Sequence, residues 1–217
     1  MALKAKEDDP RRDVVLVEAR RIAFGGSGRN GGFVVASLTH GLSNGLARFG
    51  PEIAALERLA QENFEGLCAD VRRYGIDCAL ERTGDMLVAT EPHQVPWLAD
   101  EAEALERFGH DVALLDAEAV RAEVASPLYL GGLWDRSGSG VVDPAQLAEG
   151  LLRAALDAGV RVFEHSPIET LHDDDDAIVA HLGRDASGPG GSCSAPAPTR
   201  RWCRSCDAAS SPSTTTC

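Results

Sequence analysis

Glycine is missing from the start of this chain: seventeen residues precede Glu18, none of them is glycine, and the first is Gly25. That excludes a phosphate-cradling G-x-G-x-x-G turn upstream of Glu18. Apolar residues are missing from the other end. From Gly183 to Cys217 there is no Leu, Ile, Val, Met, Phe or Tyr, and over half of the residues are Ser, Thr, Pro or Gly. Such a segment cannot bury enough surface to offset its ordering entropy, so residues 183–217 are expected to be a disordered tail. No apolar run approaches the ~20 residues of a membrane span, and no signal-peptide core opens the chain. Basic residues are scarce. Setting aside the tail's four Arg and two Asp leaves 17 basic against 32 acidic residues in 1–182, a net of −15. That excess argues against nucleic acid or an anionic membrane as partner.

Reactive-residue patterns are equally sparse. Cys68 and Cys78 stand alone, so no disulfide framework is suggested and a cytoplasmic setting is the default. The six histidines show no i, i+4 pairing, and no G-x-S-x-G elbow occurs. Cys203-x-x-Cys206 has zinc-ligand spacing, but zinc takes four ligands and no second pair stands nearby. Asp173–Asp176 reads as a solvated turn between strands rather than a cation site. No metal is expected.

What is present begins at Val14–Gly32, VVLVEARRIAFGGSGRNGG. Four apolar, mostly β-branched residues end in Glu18, as a buried strand presents a carboxylate to ribose hydroxyls. The glycine-rich turn that follows lets backbone N–H groups approach phosphate closely. The wording E-A-x-x-I-x-x-G-x-S-G-R-N-G-G resembles the D-amino-acid-oxidase-like (DAO) family of FAD-dependent oxidoreductases, in its γ-glutamylputrescine and glycine oxidase branch. The resemblance covers roughly residues 1–182. In that light residues 1–12 look like the end of a first helix and its Pro-containing exit loop, and Met1 like an internal methionine of a longer relative.

The middle of the chain alternates helix and strand. Pro51 opens a helix whose apolar positions Ile53, Leu56, Ala60, Phe64, Leu67, Val71 and Tyr74 follow helical spacing, with Gly75 as cap. Cys78–Thr90 reads as two strands around Thr83-Gly84. Glu101–Phe108 reads as a helix closed by Gly109. Asp143 and Pro144 start another, with Leu147, Leu151, Leu152 and Leu156 as its apolar face before Gly159. Val160–Phe163, Ile168–Leu171 and Ala177–His181 read as strands. The fold class implied is α/β: an incomplete Rossmann-like FAD-binding domain (1–50, lacking its first strand and G-x-G-x-x-G), part of an α+β substrate domain (51–140), a return to the FAD domain (141–182) and the tail.

The resemblance implies FAD as cofactor, with Glu18 and Ala19 at the ribose and Ser27, Gly28, Arg29, Asn30, Gly31 and Gly32 at the pyrophosphate. For Ile168 only the backbone groups are implied, near the adenine. Surface acids, ordinary turn residues and a core isoleucine are the bland alternatives. The substrate would be a small amine or amino acid, oxidised by hydride transfer from the carbon bearing nitrogen to the flavin. No catalytic residue is assignable, because in the family those residues come largely from the second half of the chain.

The tail has a sharper reading. Ser192–Cys217 can be back-translated so that reading from the third nucleotide gives VLGTSAYTPLVPKLRRRIVPVYDYV, which looks like the family's next buried strand. A frameshift near Gly183 is therefore expected. Two competing readings remain: a non-catalytic product of a damaged gene that binds no cofactor, and a small zinc-binding or disulfide-bearing interaction protein built on the Cys-rich tail.

Overall fold

Small residues open the chain on a buried face. The computed structural model describes residues 1–174, 177–182 and 192–196, with the backbone alone at 173, 174, 177 and 192–196. Helix α1 (Ala2–Asp8) buries Ala2 and Ala5, and Pro10 follows in its exit loop, as expected. Strand β1 (Val15–Val17) runs parallel to β7 (Arg161–Phe163), with Leu16 opposite Val162. Parallel strands need a cover of helix, and the core around this pair joins Ala2, Ala5, Val14, Leu16, Ala155 and Val160. Ala155 comes from α7 (Pro144–Asp157). Its buried residues are Gly150, Ala154 and Ala155, whereas Leu147, Leu151 and Leu152 are half-buried and Leu156 is exposed. The expected leucine face is thus corrected: the helix sits close on small residues and its leucines flank that line.

The chain divides into two compact units, residues 1–30 with 144–217, and Gly31–Asp143. The first unit also holds an antiparallel sheet in the order β10-β9-β8, built from β8 (Ile168–Asp174), β9 (Ala177–Leu182) and β10 (Ser192–Pro196). β10 falls within the stretch expected to lack structure, so that expectation is corrected over residues 192–196. The rest of 183–217, its Cys203-x-x-Cys206 pair included, lies outside the described residues, as do Asp175 and Asp176.

In the second unit α4 (Ile53–Arg73) buries Ile53, Ala60, Phe64, Cys68 and Val71 at helical spacing. A sheet β3-β5-β4 joins β3 (Asp85–Ala89), β4 (Val112–Leu115) and β5 (Gly131–Asp135) in antiparallel register. Helix α5 (Gln94–Arg107) packs Leu98, Ala102 and Leu105 with Ala89 and Leu133 of that sheet. It begins seven residues before Glu101, the start that the sequence pattern suggests. The Gln94 side chain accepts from the N–H groups of Thr90 and Glu91 at 2.8 and 3.0 Å, and Pro96 falls in the first turn, where its missing N–H has no helical partner. The two strands expected in Cys78–Thr90 reduce to β3 and a single bridge from Glu81 to Val141. Val141 belongs to β6 (Ser139–Val141), which pairs with β2 (Phe33–Val35). Among the described residues no helix is long and apolar enough to cross a membrane.

Candidate cofactor site

Glu18 follows β1 directly. Its N–H donates to the carbonyl of Phe163 at 2.9 Å and its own carbonyl accepts from Ser166 at 2.8 Å, so its backbone continues the parallel ladder. The residue is only 5% exposed, and Oε1 accepts the Arg20 N–H at 2.9 Å. A carboxylate can take several donors, and among the described residues this N–H is the one that supplies the Glu18 side chain with a hydrogen bond. Ala19 lies exposed in the intervening turn.

The turn then folds back on itself. Gly26–Arg29 form one helical turn, α2, and the Asn30 amide donates to the carbonyls of Gly26 and Ser27, each at 3.0 Å. Gly28 is a packing requirement: a Cβ there would run into the carbonyl of Ala23 and come within 2.7 Å of the Ala23 Cβ. Ala23 itself has φ +65°, a conformation uncommon outside glycine. Ser27, Arg29 and Asn30 are exposed. The guanidiniums of Arg20 and Arg29 lie 4.6 and 4.7 Å from the centroid of the Phe24 ring. Glu18, Arg20, Phe24 and Arg29 are thereby linked in one chain of contacts. Ile168 opens β8 in register with Leu182, two residues beyond the Ser166 that holds the Glu18 carbonyl. Gly31 and Gly32 belong to the second unit, where the Gly32 carbonyl accepts from Val142 at 2.9 Å.

Sequence reasoning missed Arg20 and Phe24. It also missed that Gly26-Ser27-Gly28-Arg29-Asn30-Gly31 spells G-x-G-x-x-G. The spelling is not the dinucleotide fingerprint, because the helix it opens is one turn long and is followed by β2.

A second cluster of ionisable groups, unforeseen in the sequence, lies in the other unit. His110 follows Gly109, whose φ of +84° ends α5 with N–H bonds from Gly109 to Glu106 and from His110 to Leu105. Its Nδ1 lies 2.7 Å from Asp135 Oδ2 and its Nε2 3.6 Å from Glu57 Oε2. The hydrogen bond to Asp135 raises the His110 pKa against its burial, and the charges of Asp135 and Glu57 add to that. Burial pushes the Asp135 carboxyl up, but His110 and the Ser137 N–H outweigh it and the net shift is downward. Both ring nitrogens face carboxylates, which leaves neither for a substrate.

A family model described as FAD dependent oxidoreductase (DAO) matches residues 1–193. The chain is 39% identical over 171 residues to gamma-glutamylputrescine oxidoreductase of Escherichia coli K12, covering 77% of this chain and 39% of that protein. It is 27% identical over 177 residues to a probable oxidoreductase, OrdL, of Haemophilus influenzae, covering 81% and 41%. The chain thus spans about two fifths of the length of these curated relatives. Its fold is that of glycine oxidase from Bacillus cereus (TM-score 0.63, 18% identity, 82% of this chain and 47% of that one). It is equally that of L-alpha-glycerophosphate oxidase from Mycoplasma pneumoniae, solved with FAD bound (TM-score 0.64, 16% identity, 85% and 47%).

Proposed function

Because the chain belongs to the DAO family of FAD dependent oxidoreductases, we propose that it carries the adenosine-facing part of an FAD site in an enzyme that oxidises a small amine or amino acid. The observation that carries this reading is Glu18: a nearly buried carboxylate at the end of a parallel strand, steadied by one backbone N–H and able to accept ribose hydroxyls. The donor set fits the rest of that half-cofactor. Arg29 and the Ser27 hydroxyl stand exposed on the turn and suit phosphate oxygens, and Arg20 brings a second guanidinium to the same ring. Ala19, Gly28 and Asn30 shape the turn, Gly31 and Gly32 follow it in the chain, and Ile168 offers backbone groups. FAD, when bound, supplies the hydride acceptor. The chain's own residues bind and orient; none is assigned to the proton or hydride steps. The name of the 39% identical relative supports a C–N substrate. The acidic balance of 1–182 supports a partner other than nucleic acid or membrane, and the isolated Cys68 and Cys78 suit a cytoplasmic setting.

Titration of the purified chain with FAD tests the reading. Weak binding is expected of a chain that spans about two fifths of the length of its curated relatives. Glu18→Ala is expected to weaken it a further tenfold or more, as losing a charge-assisted hydrogen bond costs roughly 1.5–3 kcal/mol. Binding unchanged in Glu18→Ala would remove the ribose role, and no binding at all would favour a chain that holds no cofactor.

A further inference from the structure

His172 on β8 and His181 on β9 meet on one face of their hairpin. The register sets Thr170 opposite His181 and His172 opposite Val179. Opposed residues of an antiparallel pair share a face, as do residues two apart along a strand. The two histidines are therefore a diagonal cross-strand pair. Their ring centroids lie 5.1 Å apart with the planes at 79°, and both residues are exposed. Neither histidine is among the residues assigned to the flavin site.

The separation has a chemical meaning. Two imidazoles bound to one tetrahedral zinc, at Zn–N of about 2.0–2.1 Å, place their ring centroids roughly 5 Å apart. We propose that His172 and His181 form a two-histidine chelate for a late first-row divalent cation such as Ni²⁺, Cu²⁺ or Zn²⁺, with water completing its shell. Neutral imidazole suits these ions, whereas Mg²⁺ and Ca²⁺ seek oxygen ligands. The strand ladder fixes both backbones, so little ordering is left for binding to impose. The net charge of −13 favours the approach of a cation. Among the described residues no group of three or more His, Cys, Asp or Glu is placed to hold a metal. With two described protein ligands, the proposed site is an exchangeable one, unlike a four-ligand structural zinc site.

Ni²⁺ titration of the full chain, after alkylation of its reactive thiols, tests the proposal by calorimetry and by paramagnetic broadening of the histidine ring resonances. One Ni²⁺ per chain is expected, with broadening centred on His172 and His181. His172→Gln and His181→Gln should each lose tenfold or more in affinity, and His40→Gln and His93→Gln should lose nothing. Broadening centred on other histidines would overturn the proposal, as would a single-histidine variant within threefold of the unmodified chain. The broadening is read on the unmutated protein, so the outcome does not depend on how a variant folds.

Discussion

His110 Nδ1 lies 2.7 Å from Asp135, and across the ring Nε2 lies 3.6 Å from Glu57, so one imidazole bridges two carboxylates. The raised pKa of His110 means that its contribution to stability is whole below the unfolded value of about 6.5 and is lost as pH rises through the folded value. The lowered pKa of Asp135 means that its contribution is whole above about 3.9 and is lost as pH falls through the folded value. Stability from this cluster should therefore be greatest between about pH 4 and 6.5 and decline on the alkaline side. Urea midpoints measured from pH 5 to 9 check this. His110→Gln should flatten the alkaline decline, and equal slopes in both proteins would contradict it.

Removing the ring altogether should cost more than removing its charge. His110→Ala leaves Glu57 and Asp135, whose side chains are only 10% and 20% exposed, without the cation between them. Stranding one side of a largely buried ion pair costs about 3 kcal/mol. Chemical denaturation at pH 6 should show that loss, and Glu57→Gln in the same background should recover part of it by removing one of the two unmatched charges.

The cluster also shows where sequence reasoning stops. Gly109 as the end of α5 was legible because a helix stop is local, and the same holds for Gly75 after α4 and Gly159 after α7. The partners of His110 were not legible: Asp135, 25 residues away, is brought near by the register of β4 on β5, and Glu57, farther still, is carried by α4. β6 escaped notice for a different reason. Ser139-Gly140-Val141 is short and centred on a glycine, which weakens a strand signal, and its strand is held by pairing with Phe33–Val35 and Glu81. Glu18 stands at the end of its strand as expected, because an apolar run ending in an acid is a local signal. The Arg20–Phe24–Arg29 contacts were invisible because they arise within an irregular turn in which Ala23 takes a positive φ, and no residue type announces that.

Cys68 and Cys78 should resist modification in the folded chain. Both are buried, at 0% and 1% exposure, and burial pushes the Cys78 thiol up, further from the reactive thiolate. Iodoacetamide at pH 8 followed by peptide mapping should find both unlabelled until denaturant is added. Rapid labelling of Cys68 in native buffer would show that α4 does not hold its buried face as described.

Two glycines of the candidate site separate packing from conformational freedom. A Cβ at Gly28 would meet the Ala23 carbonyl, which is backbone and cannot swing aside, whereas a Cβ at Gly26 would meet nothing within 4 Å. Neither glycine has a positive φ, so the comparison is one of space alone. Gly28→Ala should push α2 off the turn that carries Phe24 and shift Arg29 from its place over the ring. A backbone overlap of this kind costs about 1–3 kcal/mol, as overpacking does elsewhere. The first unit should unfold at lower denaturant, and any FAD binding by the chain should fall with it. Gly26→Ala should be neutral or slightly stabilising, because alanine favours the helical conformation that residue 26 already adopts. The check is a pair of denaturation curves with FAD titrations on the same samples. If the two variants lose stability and affinity equally, the turn is not packed against Ala23, and the placement of Arg29 over the Phe24 ring falls with it.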